Sequence, residues 1–157
     1  MREAEEAMDK GVFDLDMVLA IGPMRSGNYR YVQQDIKAVV DAGHGRSAIV
    51  KVIFDNAYQT RDEIVKGCQI CEAVGADYVK TSTGYSPGGA TIEDVILMRQ
   101  SCSSDVAVKA AGGIRTLDDT LRYRAAGAKM LGTRSTKEIL EEAVERERAG
   151  TLREVTL

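Results

Sequence analysis

The sequence predicts an α/β fold of about five parallel strands with flanking helices, arranged as units of a barrel or as an open sheet. Three observations lead there. Short apolar runs alternate strictly with longer helix-period segments, a pattern that requires parallel strands joined by helical crossovers. The dipeptide Val-Lys recurs so that Lys51, Lys80 and Lys109 are each 29 residues apart, about one strand-and-helix unit. Four segments carry the [ST]-x-x-[DE] spacing of a helix start, at Thr60 and Glu63, Thr91 and Asp94, Thr116 and Asp119, and Ser135 and Glu138.

Taken in order, residues 1–10 read as a helix ending at Gly11, and Phe13 to Ile21 as the first strand. Residues 28–42 form a helix with Val32, Ile36, Val39 and Val40 on one stripe. Ala48 to Asp55 is the second strand, and the helix over 61–74 stops at Gly75. The third strand follows Asp77, carries Lys80, and runs into the glycine-rich stretch ending at Gly89. A helix over 92–102, a strand from Asp105 to Ala111, a helix over 117–126, a strand from Lys129 to Gly132 and a charged helix over 136–149 complete the pattern.

The 157 residues, 44% hydrophobic, suffice for one domain over 1–157 with a core. A formal net charge of −3 argues against a nucleic-acid partner. No apolar run approaches a membrane span, and Met1-Arg-Glu-Ala-Glu-Glu6 is not a secretory signal, so a soluble cytoplasmic protein is expected. Cys68, Cys71 and Cys102 cannot complete a disulfide framework. With His44 the only histidine, Cys68-Gln-Ile-Cys71 lacks partners for zinc, so the two cysteines are expected in the core and no metal is expected. His44, between Gly43 and Gly45, reads as a loop residue.

A lysine inside a buried strand must find a partner or lose its charge. Lys80 therefore has two readings: a structural lysine paired to a carboxylate, or an amine kept neutral to attack a carbonyl. In a closed barrel, alternation turns Asp14 and Asp16 inward, toward Lys51, Lys80 and Lys109 carried side by side on neighbouring strands. Two ammonium groups about 6 Å apart repel by roughly 3 kcal/mol at an effective dielectric near 20, which favours one neutral amine and Schiff-base chemistry. Gly112-Gly113 and Gly132-Thr-Arg134-Ser135 each precede a helix start, where free N–H groups suit a phosphate. Arg115 and Arg134 have two readings, added positive charge for that anion or solvated loop arginines.

Val79-Lys80-Thr-Ser-Thr83-Gly84, followed by Gly88-Gly-Ala-Thr91, resembles the Schiff-base segment of the deoxyribose-phosphate aldolases. Val108-Lys109-Ala-Ala-Gly112-Gly113-Ile-Arg115 is similar to their second-lysine segment, Asp14-Leu-Asp16-Met-Val18 to their acidic strand, and Val50-Lys51-Val-Ile53 to the strand between. The resemblance implies a class I aldolase that cleaves 2-deoxy-D-ribose 5-phosphate reversibly to acetaldehyde and glyceraldehyde 3-phosphate without a cofactor. It implies Lys80 as the Schiff-base residue, Lys109 and Asp16 in proton transfer, Lys51 and Thr83 in support, and Gly112, Gly113, Gly132, Arg134 and Ser135 at the phosphate. Arg134 stands where many members carry serine, and Ala20 where an asparagine is common.

The family fold is a (β/α)₈ barrel of about 250 residues, so the five strands here correspond to its fourth to eighth. An incomplete barrel is expected to expose two strand edges and an inner face that includes Val18, Ile53 and Val106 or their neighbours. Either self-association that covers this opening, as a homo-oligomer with a symmetric dimer the simplest form, or a poorly ordered first element is expected. Another Schiff-base aldolase of the same barrel type, or a non-catalytic remnant acting as a binding or assembly module, is the competing expectation.

Overall fold

Helix starts and stops cut the chain where its polar and glycine residues fall. In the computed structural model, which describes residues 1–157, α1 (Arg2–Asp9) precedes β1 (Asp14–Val18), and α2 (Ile21–Arg25) and α3 (Tyr29–His44) lead to β2 (Ile49–Ile53). Next come α4 (Arg61–Val74), β3 (Tyr78–Lys80), α5 (Ile92–Gln100), β4 (Ala107–Ala111), α6 (Leu117–Ala125), β5 (Ala128–Gly132) and α7 (Thr136–Arg148). At the start of α4, Thr60 Oγ1 accepts from the Glu63 N–H at 3.3 Å while Glu63 Oε2 accepts from the Thr60 N–H at 2.6 Å, a reciprocal capping box. Thr91 and Thr116 cap α5 and α6 through the N–H groups of Asp94 and Asp119.

The five strands form one parallel sheet in sequence order, with β1 and β5 at its two edges. This is the strand-and-helix repeat of a (β/α)₈ barrel, laid out over five units and not closed. Period-two alternation divides the sheet into two faces. Val50, Val52, Val79, Val108 and Ala110 point to the helices and are fully buried. They pack in a 26-residue core with Ile36 and Val40 of α3, Ile64, Cys68 and Cys71 of α4, and Val95 and Met98 of α5. The opposite face carries Asp16, Lys51, Lys80 and Lys109. The apolar layer thus fixes the strands, and the charges are what remains for the inner side.

Several expectations are corrected. The first strand does not reach Ile21: it ends at Val18, the Leu19 N–H adds one further bond to Ile53 at 2.9 Å, and the chain then turns into α2. His44 is the last residue of α3, not a loop residue, and its Nε2 lies 2.9 Å from Asp77 Oδ2, which also accepts from the Val50 N–H at 2.7 Å. That contact to the start of β3 holds the helix end. Ser135 precedes α7 without capping it. Its ψ of 34° departs from the extended values of 153° to 163° at Thr60, Thr91 and Thr116, which aim the side-chain oxygen at the third helical N–H.

Of the residues expected on an exposed inner face, only Val18 is exposed, at 46%. Ile53 is buried in mid-sheet, paired with Val18 on one side and Lys80 on the other. Val106 belongs to the helix-facing core. Val12 and Phe13 just before β1, and Leu140 and Val144 on α7, are further exposed large apolar side chains. No helix is long and apolar enough to cross a membrane.

Candidate active site

Strand register decides which charges meet. β3 and β4 pair so that Lys80 lies directly beside Lys109. β2 and β3 are offset by two residues, so Lys51 pairs with Tyr78 and Ile53 with Lys80. The three lysines are therefore not level, as their equal spacing suggests: Lys51 sits one layer deeper, next to Asp16 across the β1–β2 pair.

Asp16 ties the layers together. Lys80 Nζ donates to Asp16 Oδ2 at 2.5 Å and Lys109 Nζ to the same oxygen at 3.5 Å, which caps the separation of the two amines at about 6 Å. Lys51 Nζ approaches Asp16 Oδ1 at 3.7 Å and pairs closely with Asp14. Its ammonium also stands 5.6 Å above the Tyr78 ring, within cation–π reach. Three lysines share two carboxylates, leaving one surplus positive charge. Lys51 is 1% exposed, and its pKa falls from 10.5 to about 8, because burial disfavours the ammonium and Lys109 and Lys80 repel it.

The strand end beyond Lys80 is mostly committed to structure. Thr81 is fully buried; its Oγ1 donates to the Ala111 carbonyl and accepts from the Ala111 N–H, both at 3.0 Å, fastening β3 to the end of β4. Ser82, also buried, accepts from the Gly84 N–H at 2.9 Å and contacts Ser86 at 3.1 Å. Thr83 alone of the three reaches the open side. Gly89 and Gly112 are glycines because their backbones touch: a Cβ on Gly89 would lie 2.4 Å from the Gly112 carbonyl oxygen. The Ala90 N–H donates to that carbonyl at 3.0 Å, so the loops after β3 and β4 are locked together.

A cavity of about 350 Å³ opens between these loops. Lys80, Lys109 and Thr83 line one part of it; Gly112, Gly113 and Arg115 after β4, and Gly132, Arg134 and Ser135 after β5, line the rest. Asp16 and Lys51 stand behind it. The Gly113 and Arg134 N–H groups have no acceptor within the chain, and the α7 N-terminus is left without a side-chain cap. Free N–H groups, a helix end and two arginines make this part suited to an anion. No set of three or more His, Cys, Asp or Glu side chains is placed to hold a metal.

Asp55 escaped the reading from sequence. It sits just past β2 with φ 49° and ψ 62°, a left-handed conformation rare outside glycine, and is 6% exposed. The Phe54 N–H bonds to the Lys80 carbonyl and the Asn56 N–H to the Thr81 carbonyl, at 2.9 and 3.0 Å, so this turn is pinned to the lysine-bearing segment. In sequence, Asp55 reads only as the last residue of a strand.

Lysine amines gathered on one carboxylate at the loop end of parallel strands, beside a cavity suited to an anion, occupy the place where α/β barrels carry their sites. No family model matches the chain. It is 48% identical over 141 residues to the deoxyribose-phosphate aldolase of Thermococcus gammatolerans, covering 90% of this chain and 63% of that one. Among solved structures, an aldolase designated QR15 superposes with a TM-score of 0.88 at 38% identity, over 94% of this chain and 66% of that one. The tetrameric deoxyribose phosphate aldolase of Aeropyrum pernix gives 0.80 at 30% identity, over 90% and 59%. The chain is similar to deoxyribose-phosphate aldolases over about nine-tenths of its own length, and it spans about 63% of the length of the curated relatives it matches.

Proposed function

We propose that the chain carries the catalytic half of a class I aldolase that cleaves 2-deoxy-D-ribose 5-phosphate reversibly to acetaldehyde and glyceraldehyde 3-phosphate. The observation that carries this reading is the pair of amines, Lys80 and Lys109, on one oxygen of Asp16 behind the anion-binding cavity. The Lys80 amine, in its unprotonated form, attacks the substrate aldehyde carbon. Water leaves, and the iminium draws electrons from the C2–C3 bond as the C3 hydroxyl gives up its proton. Asp16 receives that proton and exchanges it with Lys109; the enamine is protonated at C2, and hydrolysis frees acetaldehyde and the lysine. Gly113, Arg115, Arg134 and the start of α7 hold the phosphate.

The test is cleavage of deoxyribose 5-phosphate followed through glyceraldehyde 3-phosphate release. Turnover should vanish in Lys80→Arg, which keeps the charge but not the nucleophile. Turnover that survives this replacement overturns the reading.

We also propose that copies of the chain associate in the cytoplasm. Support comes from two unpaired strand edges, with Phe13 and Val18 exposed at β1 and Leu140 and Val144 exposed on α7. The three cysteines are free, as suits a reducing compartment.

A further inference from the structure

We propose that Asp55 is a positioning residue that takes up the hydroxyl proton of Thr83, so that Thr83 meets a bound phosphorylated ligand only as a hydrogen-bond acceptor and selects a hydroxyl on it. The proposal rests on the aldolase reading for the identity of the ligand, but its geometry stands alone.

A carboxylate offers lone pairs and no proton. Asp55 Oδ1 accepts the Thr83 backbone N–H at 2.7 Å, and the Thr83 hydroxyl lies 3.0 Å from Oδ1 and 3.1 Å from Oδ2. The single hydroxyl proton is therefore directed to Asp55. One Thr83 Oγ1 lone pair is occupied by the Tyr85 N–H at 3.1 Å. The second remains, and Thr83 lines the cavity between the amines and the glycine loops. A ligand whose phosphate sits among those loops and whose reactive carbon reaches Lys80 passes its intervening hydroxyls along Thr83. Such a hydroxyl can donate to Thr83; an ether, a fluorine or a carbonyl at the same carbon meets a lone pair instead. The buried, left-handed Asp55 fits this role: the bonds on both sides of it fix the turn, and the turn aims the carboxylate at Thr83 rather than at solvent.

Two stable probes separate the outcomes: glycerol 3-phosphate and its analogue with fluorine in place of the C2 hydroxyl. Titrated calorimetrically, the protein should bind the hydroxyl compound about tenfold more tightly, the loss of one good hydrogen bond. Asp55→Gly removes the carboxylate and accepts the positive φ without strain; it frees the Thr83 proton, and the ratio should fall to within about twofold. Thr83→Val should do the same, Thr83→Ser should keep the preference, and adding Asp55→Gly to Thr83→Val should change the ratio no further. A purely structural role for Asp55 would weaken both probes equally and leave the ratio at its original value, which overturns the proposal. So would equal binding of the two probes by the unaltered protein. Should Asp55→Gly fail to fold, proton NMR of the unaltered protein decides: a slowly exchanging Thr83 hydroxyl proton supports the lock, and its absence sinks it. Retained hydroxyl preference in a protein that forms no adduct with acetaldehyde would count against the aldolase reading and not against this one.

Discussion

Replacing Arg134 with serine isolates one charged side chain of the cavity. Arg134 lines the cavity, and no carboxylate of the chain engages it, whereas Arg2, Arg46 and Arg146 form the arginine ion pairs. Its charge is thus available to a ligand. A unit charge about 4 Å from a phosphate oxygen is worth about 4 kcal/mol at an effective dielectric of 20. Arg134 is exposed, so solvent screening brings this to about 1–2 kcal/mol. Arg134→Ser should therefore raise KM for deoxyribose 5-phosphate by roughly five- to thirtyfold with little change in kcat, the signature of lost uniform binding. Unphosphorylated deoxyribose should be affected less than about twofold. Inorganic phosphate binding, measured by calorimetry, should weaken in parallel and needs no turnover. Equal loss for both sugars would refute the reasoning and make Arg134 a solvated loop residue.

Three further outcomes follow from the packing and the charges. The depressed Lys51 pKa means the unfolded chain binds more protons between pH 8 and 10.5, so stability should rise with pH across that window. Lys51→Met should flatten that rise by about 1–2 kcal/mol in denaturant titrations; an unchanged slope would mean that burial does not govern Lys51. Gly67→Ala should destabilise by about 1–3 kcal/mol in thermal unfolding, because a Cβ there would stand 2.8 Å from the fully buried Phe54 ring; an unshifted Tm would show that the ring yields freely. Light scattering should find association that Phe13→Ser with Leu140→Ser weakens, and a dilution-stable monomer would contradict it.

The elements legible in the sequence are those set by local rules. Thr60, Thr91 and Thr116 mark helix starts because capping is a contact within one turn, and the outward valines mark strands because alternation is local. Direct adjacency of Lys80 and Lys109 followed from equal spacing. The same spacing misplaced Lys51, since the register of β2 on β3 is set by how the sheet staggers and not by residues near Lys51. The apolar Val18-Leu19-Ala20-Ile21 run hides the change from β1 to α2, which tertiary packing of the buried Met24 decides. His44 looked like a loop residue between glycines, yet Asp77, far along the chain, holds it on a helix. Asp55 left no sequence signal, because its role rests on a left-handed turn and a partner 28 residues away.

The central claim is that Lys80 is the nucleophile. Incubation with acetaldehyde and sodium borohydride, followed by peptide mass mapping, measures it directly. The expected result is a single ethyl group on Lys80, absent when borohydride is omitted and lost in Lys80→Arg. A label found on Lys109 or Lys51 instead, or no label on a folded protein, would contradict it.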